Sequence, residues 1–315
     1  MTDAPAAAPD LGPLGLWTYH LDIQPAPRAR ELAAELDDLG FGALWVPDWV
    51  GREPFVNAAL LLGATERMAV ATGVASLYGR TALTMNSAWQ ALTEAFPDRF
   101  LLGVGVSHDA VVSNNHGGQY SAKPYSTMVE YLDAMDASRY AAAPPTAPPR
   151  RVLAALGPRM LRLAAERGVG AHTYFVPVEH TAQAREVLGD APFLAPEQTV
   201  VLCTDPDRAR ATARAFMSGY LALPNYTSNV RRLGWDDADL AGGGSDRLVD
   251  AIVAWGSVDA IATRVQEHLD AGADHVPVQV LIDDIRGLPI AEWRELASII
   301  PALRTRSTSL VTSAS

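Results

Sequence analysis

The sequence predicts an α/β fold of the (β/α)8 barrel type. Two observations carry this expectation. Eight short apolar runs alternate with helical segments along 315 residues, and no internal change of composition divides them. Barrels of this kind use about 250 residues or more as one unit. A single domain over residues 11–304 is therefore expected, with flexible tails at 1–10 and 305–315.

The first strand is Leu14–Tyr19, and a helix follows over Pro27–Leu39. Ala29, Leu32, Ala33, Leu36 and Leu39 recur there at helical spacing, and Gly40 supplies a left-handed stop. Ala43–Val46 is a short apolar run closed by Pro47, the pattern of a strand buried on both faces. The unit then repeats through helix Asn57–Ala64, strand Met68–Gly73, helix Ala82–Ala95 and strand Arg99–Val104. Helix Tyr125–Ser138 and a Pro-rich link over Ala141–Pro149 lead to strand Arg151–Ala154 and helix Pro158–Arg167. Strand Gly170–Val176, helix Glu179–Leu188 and strand Gln198–Cys203 come next. Asp205-Pro206 is an N-cap with proline at the first helical position, opening helix Asp207–Leu221. Helix Val258–Ala271, strand His275–Leu281 and helix Ala291–Leu303 close the series. Pro224–Ala254 fits no βα unit. It reads as an insertion near the C-terminal third, with a short helix near Asp246–Ala254, packed over the barrel mouth.

Hydrophobic residues make up 49% of the chain and charged ones 19%, enough to bury a large core. Acidic side chains outnumber basic ones by 36 to 25, for a net charge of -11, and no basic run occurs. That balance makes a poor nucleic-acid binder, and no nucleic-acid partner is expected; the expected partner is a small-molecule substrate. Cys203 is the only cysteine, so no intramolecular disulfide forms. No apolar run approaches the roughly 20 residues that cross a bilayer. Met1–Asp10 lacks the basic start and apolar run of a signal peptide. A cytoplasmic protein away from membranes is expected.

The active site of such a barrel lies at the carboxyl ends of the strands. That rule selects Trp17 and His20, Asp48 and Trp49, Gly73 to Ser76, Val106, Ser107 and His108, Ala155 to Met160, and His172 with Tyr174. Gly157-Pro158-Arg159-Met160 sits at a strand-to-helix junction. Proline first in a helix leaves the next amides free to face an anion, and Arg159 adds charge, although an ordinary helix start looks the same. Gly103-Val104-Gly105 invites a dinucleotide-fold reading, but His108 stands where the third glycine belongs. The two glycines read instead as a place where a flat ring approaches the backbone. No histidine pair has metal-ligand spacing, so no metal is assigned. Ser107 lacks the surrounding glycines of a nucleophile elbow.

Five strings add a resemblance. Leu39-Gly40-Phe41-Gly42-Ala43-Leu44-Trp45-Val46-Pro47-Asp48, Ala71-Thr72-Gly73-Val74 with Arg80, and Pro97-Asp98-Arg99-Phe100-Leu101-Leu102-Gly103-Val104-Gly105 are three of them. Ala155-Leu156-Gly157-Pro158-Arg159-Met160 and Ala271-Gly272-Ala273-Asp274-His275-Val276 are the others. In this order the chain resembles the luciferase-like monooxygenase superfamily, and within it the coenzyme F420-dependent branch.

The resemblance implies coenzyme F420, or alternatively FMN, laid across the barrel mouth. It implies a non-prolyl cis peptide at Gly73–Val74. Gly73, Val74, Ser76, Val106, Ser107, Ala155, Gly157, Pro158, Arg159 and Met160 would hold the cofactor, with its phosphate at the Gly157–Met160 turn. Asp48, Trp49 and His108 would face the substrate, and Trp17, His20 and Tyr174 would line its pocket. His108 aligns with the acidic proton donor of the sugar-phosphate dehydrogenase relatives, and imidazole suits proton transfer near neutrality. It also reads as a loop histidine that only hydrogen-bonds. Trp49 departs from the pattern, because that branch has a histidine after its aspartate. Indole stacks but does not exchange protons, so His20 is the candidate to replace it in space. Asp48 either bonds a cofactor edge or caps the next segment.

The implied activity is hydride transfer between deazaflavin and a small organic substrate. A reduced-FMN monooxygenase and a non-catalytic flavin-binding barrel are the alternatives. The resemblance also implies a homodimer paired through the helices after strands two and three.

Overall fold

The computed structural model describes residues 10–116, 118–284 and 286–304. The expected tails fall outside these residues, apart from Asp10. Eleven parallel strands are present among them: β1 Leu14–Trp17, β2 Ala43–Val46, β3 Ala69–Thr72, β4 Ala75–Ser76, β5 Phe100–Gly105, β6 Arg151–Ala154, β7 Gly170–Thr173, β8 Phe193–Pro196, β9 Gln198–Val201, β10 Val253–Trp255 and β11 Val276–Val280. They pair in the order β10-β9-β11-β1-β2-β3-β5-β6-β7-β8, with β4 on β5. β8 runs into β9 through Glu197 alone; β8 pairs with β7, and β9 pairs with β11. The Asp274 amide also donates to the Leu194 carbonyl at 2.9 Å. The sheet therefore closes on itself as a (β/α)8 barrel, with β3–β4 and β8–β9 each acting as one interrupted strand.

All eight apolar runs of the sequence form strands, and two features differ from expectation. Phe193–Pro196 is a strand, although Pro192 and Pro196 give it the look of a link. The helix near Asp246–Ala254 ends at Ile252, and Val253–Trp255 becomes β10. β10 lies beside β9, where the chain has parted from β7.

The strands are buried on both faces because helices cover the outside and side chains fill the inside. Helix Ala26–Asp38 shows the outer contact: Ala29, Leu32, Ala33 and Leu36 are buried in one cluster with Leu14, Leu16 and Leu44 of the sheet. Inside the barrel sit Trp45, Ala71, Leu101, Val152, Phe193 and Ala195. Trp45 stacks on His172 at 4.4 Å and donates its indole N–H to His275 Nε2 at 3.1 Å. Two of the buried histidines thus serve the barrel floor.

Tyr226, Val230, Leu248 and Ile252 of the insertion form a separate core with Phe175 and with Met217 of helix Pro206–Tyr220. Helix Pro224–Arg232 reaches the carboxyl ends of the strands. Tyr226 meets His108 at 5.3 Å, and Arg232 approaches the Leu156 carbonyl.

Gly103 and Gly105 do not leave room for a flat ring, as their sequence position had implied. A Cβ on Gly103 would lie 2.0 Å from the Thr72 carbonyl oxygen, and one on Gly105 would lie 2.5 Å from Val74 Cγ2. The glycines admit the neighbouring strand where β3 breaks into β4. Thr72 Oγ1 reinforces the approach, donating to the Gly103 carbonyl and accepting its N–H, both at 2.8 Å. Gly103→Ala is expected to destabilise the fold by about 2–3 kcal/mol, because the clash is with backbone. Chemical denaturation would measure it, and an unchanged midpoint would refute this account.

Candidate active site at the barrel mouth

The Gly73–Val74 peptide is cis. Its position is set from both sides: the Gly73 amide donates to the Val46 carbonyl at 2.8 Å, and Trp17 Nε1 donates to the Gly73 carbonyl at 2.9 Å. A Cβ at position 73 would stand 2.6 Å from that indole nitrogen, so only glycine fits. Val74 and Ser76 follow, and the Ser76 amide donates to Asp48 Oδ2 at 2.9 Å. Asp48 also accepts from Arg80 at 2.8 Å, and both side chains are almost fully buried. Its carboxylate is thus directed at the β4 segment.

Trp49, four residues beyond Trp45, is half-exposed, and its Nε1 donates to Asp22 Oδ2 at 2.6 Å. Burial pushes the Asp22 carboxyl up, and the bond from Trp49 partly offsets this. The Tyr19 ring lies between Trp49, at 5.2 Å, and His20, at 4.3 Å. His20 and Trp49 therefore share one wall of the mouth. His20 Nδ1 bonds Thr18 Oγ1 at 2.9 Å, while Nε2 is buried without a partner. Burial pushes the imidazole down to about 4, against the pull of Asp284, so it is neutral at pH 7.

Across the mouth, Val106 and Ser107 are half-buried, and Ser107 adopts a φ of 57°. His108 precedes a short helix over Asp109–Val111 without a side-chain capping bond. Burial lowers its pKa, partly countered by a hydrogen bond with Asn225, and the neutral ring dominates at pH 7. The Ala155 amide bonds the His172 carbonyl. Gly157 precedes helix Pro158–Arg167 with no side-chain cap, and the first helical bond runs from Leu161 N to Gly157 O. The Arg159 and Met160 amides precede that bond, as anion binding at a helix start requires. Arg159 stacks over Tyr125 at 4.3 Å. Met160 packs against the outer core.

Several residues here escaped the sequence reading. Arg232, from the insertion, lies where a Cβ on Gly157 would come within 2.9 Å of its guanidinium. Tyr174, expected in the pocket lining, packs on Trp17 at 5.3 Å, and its hydroxyl bonds Tyr220 and Gln279, neither of which the sequence singled out. Glu197, between β8 and β9, is 1% exposed, and burial pushes its carboxyl up to about 8. The single charged residue inside the strand-forming run Phe193–Val201 was the available signal. Arg232 and Tyr220 left none: the insertion's path brings Arg232 here, and Tyr220 arrives at the end of helix Pro206–Tyr220.

The sequence profile of the luciferase-like monooxygenase family matches residues 11–275. The chain belongs to this family. Among luciferase-like relatives, it is 30% identical over 120 residues to a candidate coenzyme F420-dependent oxidoreductase of Mycobacterium tuberculosis. That match covers 38% of this chain and 34% of the relative. An F420-dependent secondary alcohol dehydrogenase, solved with an F420-acetone adduct, superposes with a TM-score of 0.74 at 14% identity. The superposition covers 92% of this chain and 98% of that one. The oxygenating constituent of 3,6-diketocamphane monooxygenase from Pseudomonas putida, in complex with FMN, gives 0.64 at 17% identity, covering 93% and 98%. The luciferase-like barrel is thus shared by deazaflavin and flavin enzymes.

Proposed function

We propose that this luciferase-like enzyme is an F420-dependent oxidoreductase acting on a small organic alcohol or carbonyl compound. The observation that carries the reading is one arrangement at the barrel mouth. A Gly73–Val74–Ser76 platform held by Trp17 and Asp48 shares it with an uncapped helix start beside Arg159 and Arg232. The first suits a flat ring, and the second suits its anionic tail. The matched Mycobacterium relative favours deazaflavin over flavin.

When bound, the deazaflavin gives or takes the hydride. The chain supplies position and proton handling. Arg159, Arg232 and the free amides at Arg159 and Met160 bind the tail. Trp17 and Gly73 fix the platform, with Val74, Ser76, Val106, Ser107, Ala155, Gly157 and Pro158 around it. Asp48 is a positioning residue acting through the Ser76 amide and Arg80. Neutral His108 accepts the proton of an alcohol being oxidised, and Trp49, Tyr19, His20 and Tyr174 form the substrate wall. Two subunits would pair through the helices after β2 and β3.

The test is fluorescence quenching of F420 and of FMN, each titrated with the purified protein. F420 is expected to bind at least about tenfold more tightly, and Arg232→Met to weaken it by about tenfold, less so at high salt. Preference for FMN would replace this reading with a two-component flavin monooxygenase. Binding without turnover on alcohols, carbonyls or alkenes would leave a binding barrel.

A further inference from the structure

Gln279 projects from β11 into the barrel and is 3% exposed. Its Oε1 accepts the Tyr174 hydroxyl proton at 2.6 Å, and the Tyr174 and Tyr220 oxygens are 2.9 Å apart. Tyr174 has one proton, and it goes to Gln279. Tyr220 must therefore be the donor to Tyr174. With the amide oxygen towards Tyr174, the chain Tyr220, Tyr174, Gln279 has a single direction, and the amide nitrogen faces away.

That nitrogen carries two donors. Among the described residues no acceptor engages it, and it is not one of the sealed, unpartnered polar atoms of the interior. Neighbouring Gln198 behaves differently, because its Nε2 donates to the Thr199 and Ile252 carbonyls at 2.7 and 2.9 Å. Thr199, the cross-strand partner of Gln279, gives its hydroxyl proton to Glu197, and no bond from the Gln279 amide to it is present among the described residues. The nitrogen of this otherwise buried side chain therefore reaches the open mouth, where its donors are available to an acceptor that enters. The Tyr174 ring that orients it packs on Trp17, which holds the Gly73 carbonyl.

We infer that Gln279 is a ligand-binding residue whose Nε2 donates to a carbonyl or alcohol oxygen in the barrel mouth, with Tyr174 and Tyr220 as positioning residues. The inference rests on the proposed function. The oxygen belongs either to the polar edge of the cofactor ring or to the substrate.

Wild type, Gln279→Met and Tyr220→Phe are compared by F420 and FMN fluorescence quenching, and by KM and kcat on secondary alcohols and ketones. If the oxygen is the cofactor's, Gln279→Met weakens binding of the ring that wild type prefers by about five- to tenfold. If it is the substrate's, that Kd stays and KM rises by the same factor. Tyr220→Phe shifts the same parameter by about twofold, because it only loosens the amide. Values for Gln279→Met within twofold of wild type, with its melting temperature preserved, overturn the inference and leave the proposed function standing. Should Gln279→Met not fold, Gln279→Asn, which withdraws the amide by one methylene, decides the same question. Wild-type protein that binds neither ring removes the proposed function, and this inference with it.

Discussion

Glu197→Gln is expected to raise thermal stability, by an amount that grows with pH. Burial places the folded carboxyl at about 8, against an ordinary value of 4.5. Between these values the unfolded chain has released its proton while the folded chain retains it. The native state then binds more protons, so wild-type stability falls as pH rises from about 4.5 to about 8, and levels off above. Holding a proton one pH unit beyond its ordinary release point corresponds to roughly 1.4 kcal/mol, so the full effect is about 3–5 kcal/mol at alkaline pH. Glutamine keeps the shape and the acceptor for Thr199 without an ionisable proton. Melting curves between pH 4 and 9 should show the variant and wild type converging at the acid end and separating above neutrality. Parallel curves would mean that Glu197 titrates normally.

Arg80→Met is expected to cost about 3–5 kcal/mol, for the opposite reason. Arg80 and Asp48 are 8% and 6% exposed. Removing the guanidinium strands a buried carboxylate with only the Ser76 amide for support. Asp48→Asn should be milder, since Arg80 retains Glu53 and the Ser76 carbonyl. Urea denaturation of both variants separates the roles. If Asp48→Asn abolishes turnover at full stability and unchanged cofactor binding, Asp48 is catalytic and not a positioning residue.

Legibility differed by region. Helix Ala26–Asp38 was readable because burial of one face imprints a helical periodicity, and the strands Ala43–Val46 and Ala69–Thr72 because burial on both faces leaves short continuous apolar runs. The strand Phe193–Pro196 was hidden by two prolines, and β10 by following directly on a helix. At the mouth, Trp17, Asp48 and Gly73 were selected because strand ends are predictable from strand order. Their partners were not, since a hydrogen bond such as Trp49 to Asp22 joins residues with no spacing rule between them.

By itself the sequence determined the alternation of strands and helices, the barrel, which residues end its strands and the glycine at position 73. These follow from local pattern and chain order. Only the tertiary structure decided that Gly103 and Gly105 admit a strand, that Asp48 is paired with Arg80, and that Arg232, Glu197 and Gln279 converge on the mouth. Those outcomes depend on which backbone and side-chain atoms meet across the closed barrel, and packing and desolvation at that scale leave no periodic trace in the chain.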